Sequence, residues 1–130
     1  MKQLSILILI LLTSCSSQKN LKKDALVYFG KTACLGKCPV YDVYVYNDGT
    51  VSYNGLKNVQ KKGSFQAKIS SKKLDEIKSE IKKIDFSIVD KKVRDLPNTI
   101  IKFNGEKLIV KDRKKVEGLE KLLQEIVYNN

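Results

Sequence analysis

The chain has no histidine and no tryptophan among its 130 residues, only two prolines and three cysteines, and seven glycines that never cluster. Without histidine a Ser/His/Asp relay is excluded by composition, and a zinc site would lack its commonest nitrogen ligand. Gly30, Gly36, Gly49, Gly55, Gly63, Gly105 and Gly118 stand singly, so no phosphate-cradling loop is formed, and no G-x-S-x-G elbow is present. Acidic residues are also scarce, 14 against 25 lysines and arginines. Nor is any apolar run long enough to cross a bilayer. The longest, Leu4 to Leu12 broken by Ser5, would make a helix of roughly 14 Å, about half the hydrocarbon core.

That run has the length and flanks of a secretory h-region, with Lys2 as a short positive n-region. Leu12-Thr13-Ser14-Cys15 then resembles the bacterial lipobox: an aliphatic residue, two small residues and a cysteine. The resemblance implies that residues 1–14 are a signal peptide and that Cys15 is the lipidated first residue of the mature chain. Two or more acyl chains make a lasting anchor where one binds only marginally. Residues 15–23 follow as a polar, lysine-rich tether. Ser16 is not the aspartate that retains some lipoproteins at the inner membrane, and no acidic cluster of the surface-export kind follows. The expected location is the cell envelope, at the periplasm-facing side of the outer membrane.

Residues 24–130 suit one domain and are too short for two. Only Lys2 among the charged residues lies in the signal segment, so the rest keeps 24 cations against 14 acids. Such a balance ordinarily suggests nucleic acid. Export removes nucleic acid as the natural partner and leaves lipid phosphates and envelope polymers, or simply a well-hydrated surface of dispersed lysines.

"TACLGKCPVY", Thr32 to Tyr41, places Cys34 and Cys38 four apart. In an exported chain the pair reads as a disulfide, with Gly36 allowing the turn and Pro39 holding the exit extended. Its loop is so short that chain entropy yields about 2 kcal/mol at best. A thiol-disulfide redox pair is the alternative. The usual device for activating a thiol, a helix N-terminus under C-x-x-C, is missing, since the spacing is C-x-x-x-C and Pro39 leads into a strand. Two thiolates alone make a poor metal site, and no cofactor is expected.

This stretch also resembles a family of bacterial envelope lipoproteins carrying a domain of unknown function. The signature is T-x-C-x-G-x-C-P-x-Y followed by D-G-T-V-x-Y, here Thr32, Cys34, Gly36, Cys38, Pro39, Tyr41, Asp48, Gly49, Thr50, Val51 and Tyr53. "RDLPNT", Arg94 to Thr99, resembles a later segment of the same family. The resemblance covers about residues 24–128 and implies a fold but no activity.

Alternation predicts strands over Ala25–Gly30, Val40–Tyr46, Val51–Tyr53 and Gly63–Ile69. Between the second and third strands, a three-residue Asn47-Asp48-Gly49 loop sets Val45 opposite Val51 and Val43 opposite Tyr53, gathering apolar residues on one face. Ser70 or Ser71 caps a helix to about Ile84, with Leu74, Ile77, Ile81 and Ile84 on one stripe. A second hairpin over Thr99–Lys111 turns at Asn104-Gly105 and pairs Ile101 with Leu108. A last helix from Lys114 to Tyr128 buries Val116, Leu119, Leu122, Leu123, Ile126 and Val127. The order ββββ-α-ββ-α, with one apolar stripe per helix, predicts an α+β two-layer sandwich: an antiparallel sheet from two hairpin regions, with two helices on one face.

No carboxylate pair stands out among Asp42, Asp48, Asp90, Asp95 and Asp112; turn and cap roles account for Asp48 and Asp112, and Asp95 suits a turn before Pro97. Catalysis is therefore not expected. The remaining candidate is a partner-binding face. Tyr44 and Tyr46 alternate with the core-facing Val43 and Val45, so they are expected on the opposite side of the sheet, near lysines, where a glycan polymer or another envelope protein would dock. Tyrosine also favours strands for its own sake.

Overall fold

The computed structural model describes residues 24–87, 90–91 and 94–129; the signal-type segment, the tether and Cys15 lie outside the described residues. Four strands come first: β1 (Val27–Lys31), β2 (Val40–Val45), β3 (Thr50–Lys57) and β4 (Gly63–Lys68). Helix α1 (Ser71–Lys82) follows, then β5 (Thr99–Phe103), β6 (Glu106–Val110) and α2 (Glu117–Asn129), the last entered through a 3-10 turn over Arg113–Val116. All six strands form one antiparallel sheet in the order β4-β3-β2-β1-β5-β6.

Both hairpin registers follow from turn chemistry. Gly49 takes a φ of 79°, which any side chain would resist, and closes the Asn47-Asp48-Gly49 loop. Val45 then pairs with Val51 and Val43 with Tyr53. The Asn104-Gly105 turn pairs Ile101 with Leu108. β3 runs further than its alternation suggests, to Lys57, because β4 pairs with it as far as Gly55–Gly63 and Val40 of β2 pairs with Lys57.

Ser70 caps α1, its hydroxyl accepting from the Lys73 amide at 3.2 Å. Asp112 caps the 3-10 turn through Lys114 N. That turn replaces the first turn of the expected last helix. Leu74, Ile77 and Ile81 of α1 and Leu119, Leu123, Ile126 and Val127 of α2 pack with Val27, Phe29, Tyr41, Val43, Val45, Val51, Tyr53, Ile101, Leu108 and Val110 in one core. Both helices thus lie on one side of the sheet. On the other side Tyr28, Asp42, Tyr44, Ser52, Asn54, Ile100 and Ile109 stay half-exposed. Among the described residues no helix is long and apolar enough to cross a membrane.

Candidate functional site

The open side of the sheet is ordered in rows, because antiparallel pairing sets alternate residues of neighbouring strands side by side. One row crosses all six strands: Gln66, Ser52, Tyr44, Tyr28, Lys102 and Lys107. At its centre the Tyr28 and Tyr44 rings lie 5.0 Å apart, tilted by 46°, within the range where aromatic pairs attract. Lys102 Nζ sits 5.4 Å from the centre of the Tyr28 ring. The row alongside runs Ser64, Asn54, Asp42, Gly30, Ile100 and Ile109. The Tyr28 hydroxyl donates to Asp42 Oδ1 at 2.6 Å, which lays its ring across Gly30, where a Cβ would collide with the hydroxyl. Burial, and then the Asp42 carboxylate, push the Tyr28 phenol well above its ordinary range. The result is an aromatic pair fixed in place, with cations at one end and small polar groups (Ser64 Oγ donating to Asn54 Oδ1 at 3.0 Å) at the other.

Of the two tyrosines expected here, the structure places one. Tyr44 is on the open face and half-exposed. Tyr46 is buried, 8% exposed. The alternation that would have aligned the two ends with β2 at Val45. Tyr46 instead closes the hairpin, its amide donating to Thr50 O at 2.9 Å, with the carboxylates of Asp24 and Asp48 near its phenol. The ring beside Tyr44 on the exposed face is instead that of Tyr28. Sequence alternation does mark Tyr28, between Val27 and Phe29, as facing away from the core.

A second feature lies under α2. Lys31 Nζ is buried beside Glu120 Oε2 at 3.1 Å and donates to Thr99 Oγ1 at 2.8 Å. Glu120 Oε1 is held by Arg113 Nη2 at 3.2 Å and Gln124 Nε2 at 3.5 Å. The Tyr41 hydroxyl is enclosed here without a well-formed hydrogen bond, with Glu120 and Gln124 nearby. Burial lowers the Lys31 pKa against the opposing pull of Glu120. A shallow cleft of about 440 Å³, lined by Arg113, Lys114, Glu117, Glu120, Lys121 and Gln124, opens beside Glu120. Periodicity did carry the signal. Lys31 falls two residues after Phe29, and Glu120 falls four after Val116 and three before Leu123, both on core positions.

Cys34 and Cys38 form a disulfide with Cα atoms 5.7 Å apart. It shapes the β1–β2 loop, which is tied to the segment before β5. Thr32 N donates to Asn98 O, and Asn98 N donates to Thr32 Oγ1, each at 3.0 Å. The buried Asn98 is thus the hub of "RDLPNT". Asp95 contributes through its backbone carbonyl, which accepts from Leu35 N at 3.4 Å. Among the described residues no group of three or more acidic, cysteine or histidine side chains is placed to hold a metal.

A family model described as a domain of unknown function (DUF6438) matches residues 25–128. The chain belongs to this family. The match spans the whole sheet and both helices, to within one residue of the end of α2, so the DUF6438 domain is the α+β sandwich itself. None of the curated proteins matches the chain.

Proposed function

We propose that the protein is a lipid-anchored envelope lipoprotein whose DUF6438 domain is a non-catalytic binding module for an anionic envelope polymer. The observation that carries this reading is the row on the open sheet face. Tyr28 and Tyr44 offer a stacking platform for sugar rings. Lys102 and Lys107 meet phosphate or carboxylate groups at one end. Ser52, Gln66 and Asn54 offer hydrogen bonds to hydroxyls at the other. The lipobox-like Leu12-Thr13-Ser14-Cys15 supports anchoring through Cys15, and residues 15–23 serve as the tether. Ser16 after Cys15, in place of the aspartate that retains some lipoproteins at the inner membrane, supports a place at the periplasm-facing outer membrane. The Cys34–Cys38 bond is a staple of this module in this reading.

The test is co-sedimentation with purified cell-wall sacculi and, separately, binding to lipopolysaccharide. Tyr44→Ala and Lys102→Glu are expected to weaken binding to one of these polymers about tenfold or more, while Lys78→Glu on α1 leaves it unchanged. Equal binding by all three variants would overturn the assignment of the face. Intact mass of the membrane-extracted protein tests the anchor: a chain starting at Cys15 and carrying lipid supports it, and a chain starting at Met1 refutes it.

A further inference from the structure

One end of the sheet carries an apolar tip separate from the open face. The β1–β2 loop, the end of β3 and the segment before β5 converge there, because Lys31 pairs with Thr99 and Val40 with Lys57. The large hydrophobic side chains left exposed among the described residues are Leu35, Leu56 and Leu96, at 85%, 53% and 51%. Each belongs to a different one of these three segments, and all three lie at this end. Single exposed leucines are ordinary; three gathered by unrelated segments are not.

These tips are held rigidly. Leu35 sits inside the Cys34–Cys38 loop, and its amide donates to Asp95 O. Asn98 Nδ2 donates to Leu96 O at 2.9 Å, and Asn58 Nδ2 donates to Cys38 O at 3.1 Å. Leu56 is the extra residue of a bulge, since Tyr41 pairs with Gly55 but Val40 with Lys57. Exposed Lys37, Lys57 and Arg94 stand on the same three segments, with Asp95 as the acidic residue among them.

We infer that this end docks on an anionic lipid surface, the leucines entering the headgroup layer while Lys37, Lys57 and Arg94 meet lipid phosphates. Protruding apolar tips ringed by cations match a bilayer interface, where apolar burial and surface potential act together. The inference goes beyond the polymer-binding reading and uses none of the open-face residues. It is compatible with an anchor at Cys15. The chain enters β1 at the far end, at Val27. The maximum span of any nine residues is nevertheless about 30 Å, against about 20 Å for a six-residue strand.

The chain lacks tryptophan, so Leu35→Trp and Leu96→Trp each give the full chain a single reporter. Glu106→Trp, in the hairpin at the opposite end, is the control. Each protein is incorporated in vesicles of phosphatidylcholine, with or without phosphatidylglycerol, carrying bromine-labelled acyl chains. Circular dichroism checks that each variant is folded. In phosphatidylglycerol vesicles the Leu35→Trp and Leu96→Trp probes are expected to shift to the blue and be quenched, and the Glu106→Trp probe to stay solvent-like. Adding Lys37→Glu and Arg94→Glu to the Leu35→Trp chain should weaken that docking about tenfold or more. Three outcomes would overturn the inference: equal quenching at both ends, no quenching at either leucine, or quenching indifferent to phosphatidylglycerol. A concentration-dependent blue shift without lipid would likewise overturn it, assigning the tip to contact between copies of the chain.

Discussion

Removing either partner of the buried Lys31–Glu120 pair should destabilise the domain, but by unequal amounts. Lys31 is 8% exposed. Taking away Glu120 leaves its ammonium with Thr99 Oγ1 at 2.8 Å and the Phe29 ring at 5.7 Å, and no carboxylate partner among its described contacts. Stranding a buried charge in this way costs about 3–5 kcal/mol. Taking away Lys31 is milder. Glu120 keeps Arg113, whose side chain is 72% exposed and already well hydrated, at 3.2 Å, and Gln124 at 3.5 Å. The loss is then of the order of one charged hydrogen bond, about 1–3 kcal/mol. Replacing both, as Lys31→Met with Glu120→Leu, removes the desolvation penalty along with the attraction and should return stability to within about 1 kcal/mol of the parent, or above it. The coupling between the two sites is therefore expected to reach about 3 kcal/mol or more, at or beyond the upper end for neighbouring residues. Urea unfolding with the disulfide intact, read at constant m, measures all four proteins. Against the 5–15 kcal/mol (approximately) of a typical domain, the Glu120→Leu loss would be plain. Additive single effects, or a Lys31→Met loss as large as that of Glu120→Leu, would refute this account of the pair.

Burial, as the largest cause, pushes the phenols of Tyr28, Tyr41, Tyr44, Tyr46 and Tyr53 upward. A phenol raised in the folded state contributes stability that is whole below the ordinary tyrosine pKa of about 10 and is lost as pH climbs through the raised values. Absorbance at 295 nm should therefore show these five ionising later than an ordinary phenol; ionisation of any of the five near pH 10 (approximately) in a still-folded protein would contradict it. Gly30→Ala should drive the Tyr28 hydroxyl off Asp42 at a cost of about 1–3 kcal/mol, changing the near-ultraviolet dichroism of the tyrosine pair and weakening polymer binding; an unchanged spectrum would count against the packing of Tyr28 over Gly30. Reducing Cys34–Cys38 should cost at most about 2 kcal/mol and leave the sheet folded by far-ultraviolet dichroism, and a bond reduced only at a strongly reducing potential would eliminate a redox role.

Where a physical signal is local, the sequence foretells the structure closely. Gly49 and Asn104-Gly105 fix their turns, the turns fix the registers, and the registers place Val43, Val45 and Ile101 on the core side. Ser70 and the stripe of Leu74, Ile77 and Ile81 do the same for α1. What escapes is pairing between distant segments. The neighbours of β1 are β2 and β5, joined to it by a looped eight-residue excursion in one case and by most of the chain in the other. No turn chemistry reports that Tyr28 stands beside Tyr44, or that Thr32 and Asn98 hold each other. Tyr46 departs from alternation for the opposite reason: it lies one residue beyond the ladder that enforces period 2.

The same distinction explains why the binding face is harder to read than the core. Core positions announce themselves by hydrophobicity, one strand at a time. A surface site is a relation between strands, and here β1 supplies it. Phe29 and Lys31 point into the core, Tyr28 and Gly30 point out, and β1 lies between β2 and β5. A single strand thereby joins the Lys31–Glu120 pair on one side to the Tyr28–Tyr44 platform on the other. Gly30 gives the Tyr28 ring room to lie flat across the sheet, while Lys31, next in the chain, ties the same backbone to α2 through Glu120. The helix layer therefore steadies the strand on which the exposed aromatic pair is mounted, and a change that loosens Glu120 should blunt the platform even though the two lie on opposite faces of the sheet.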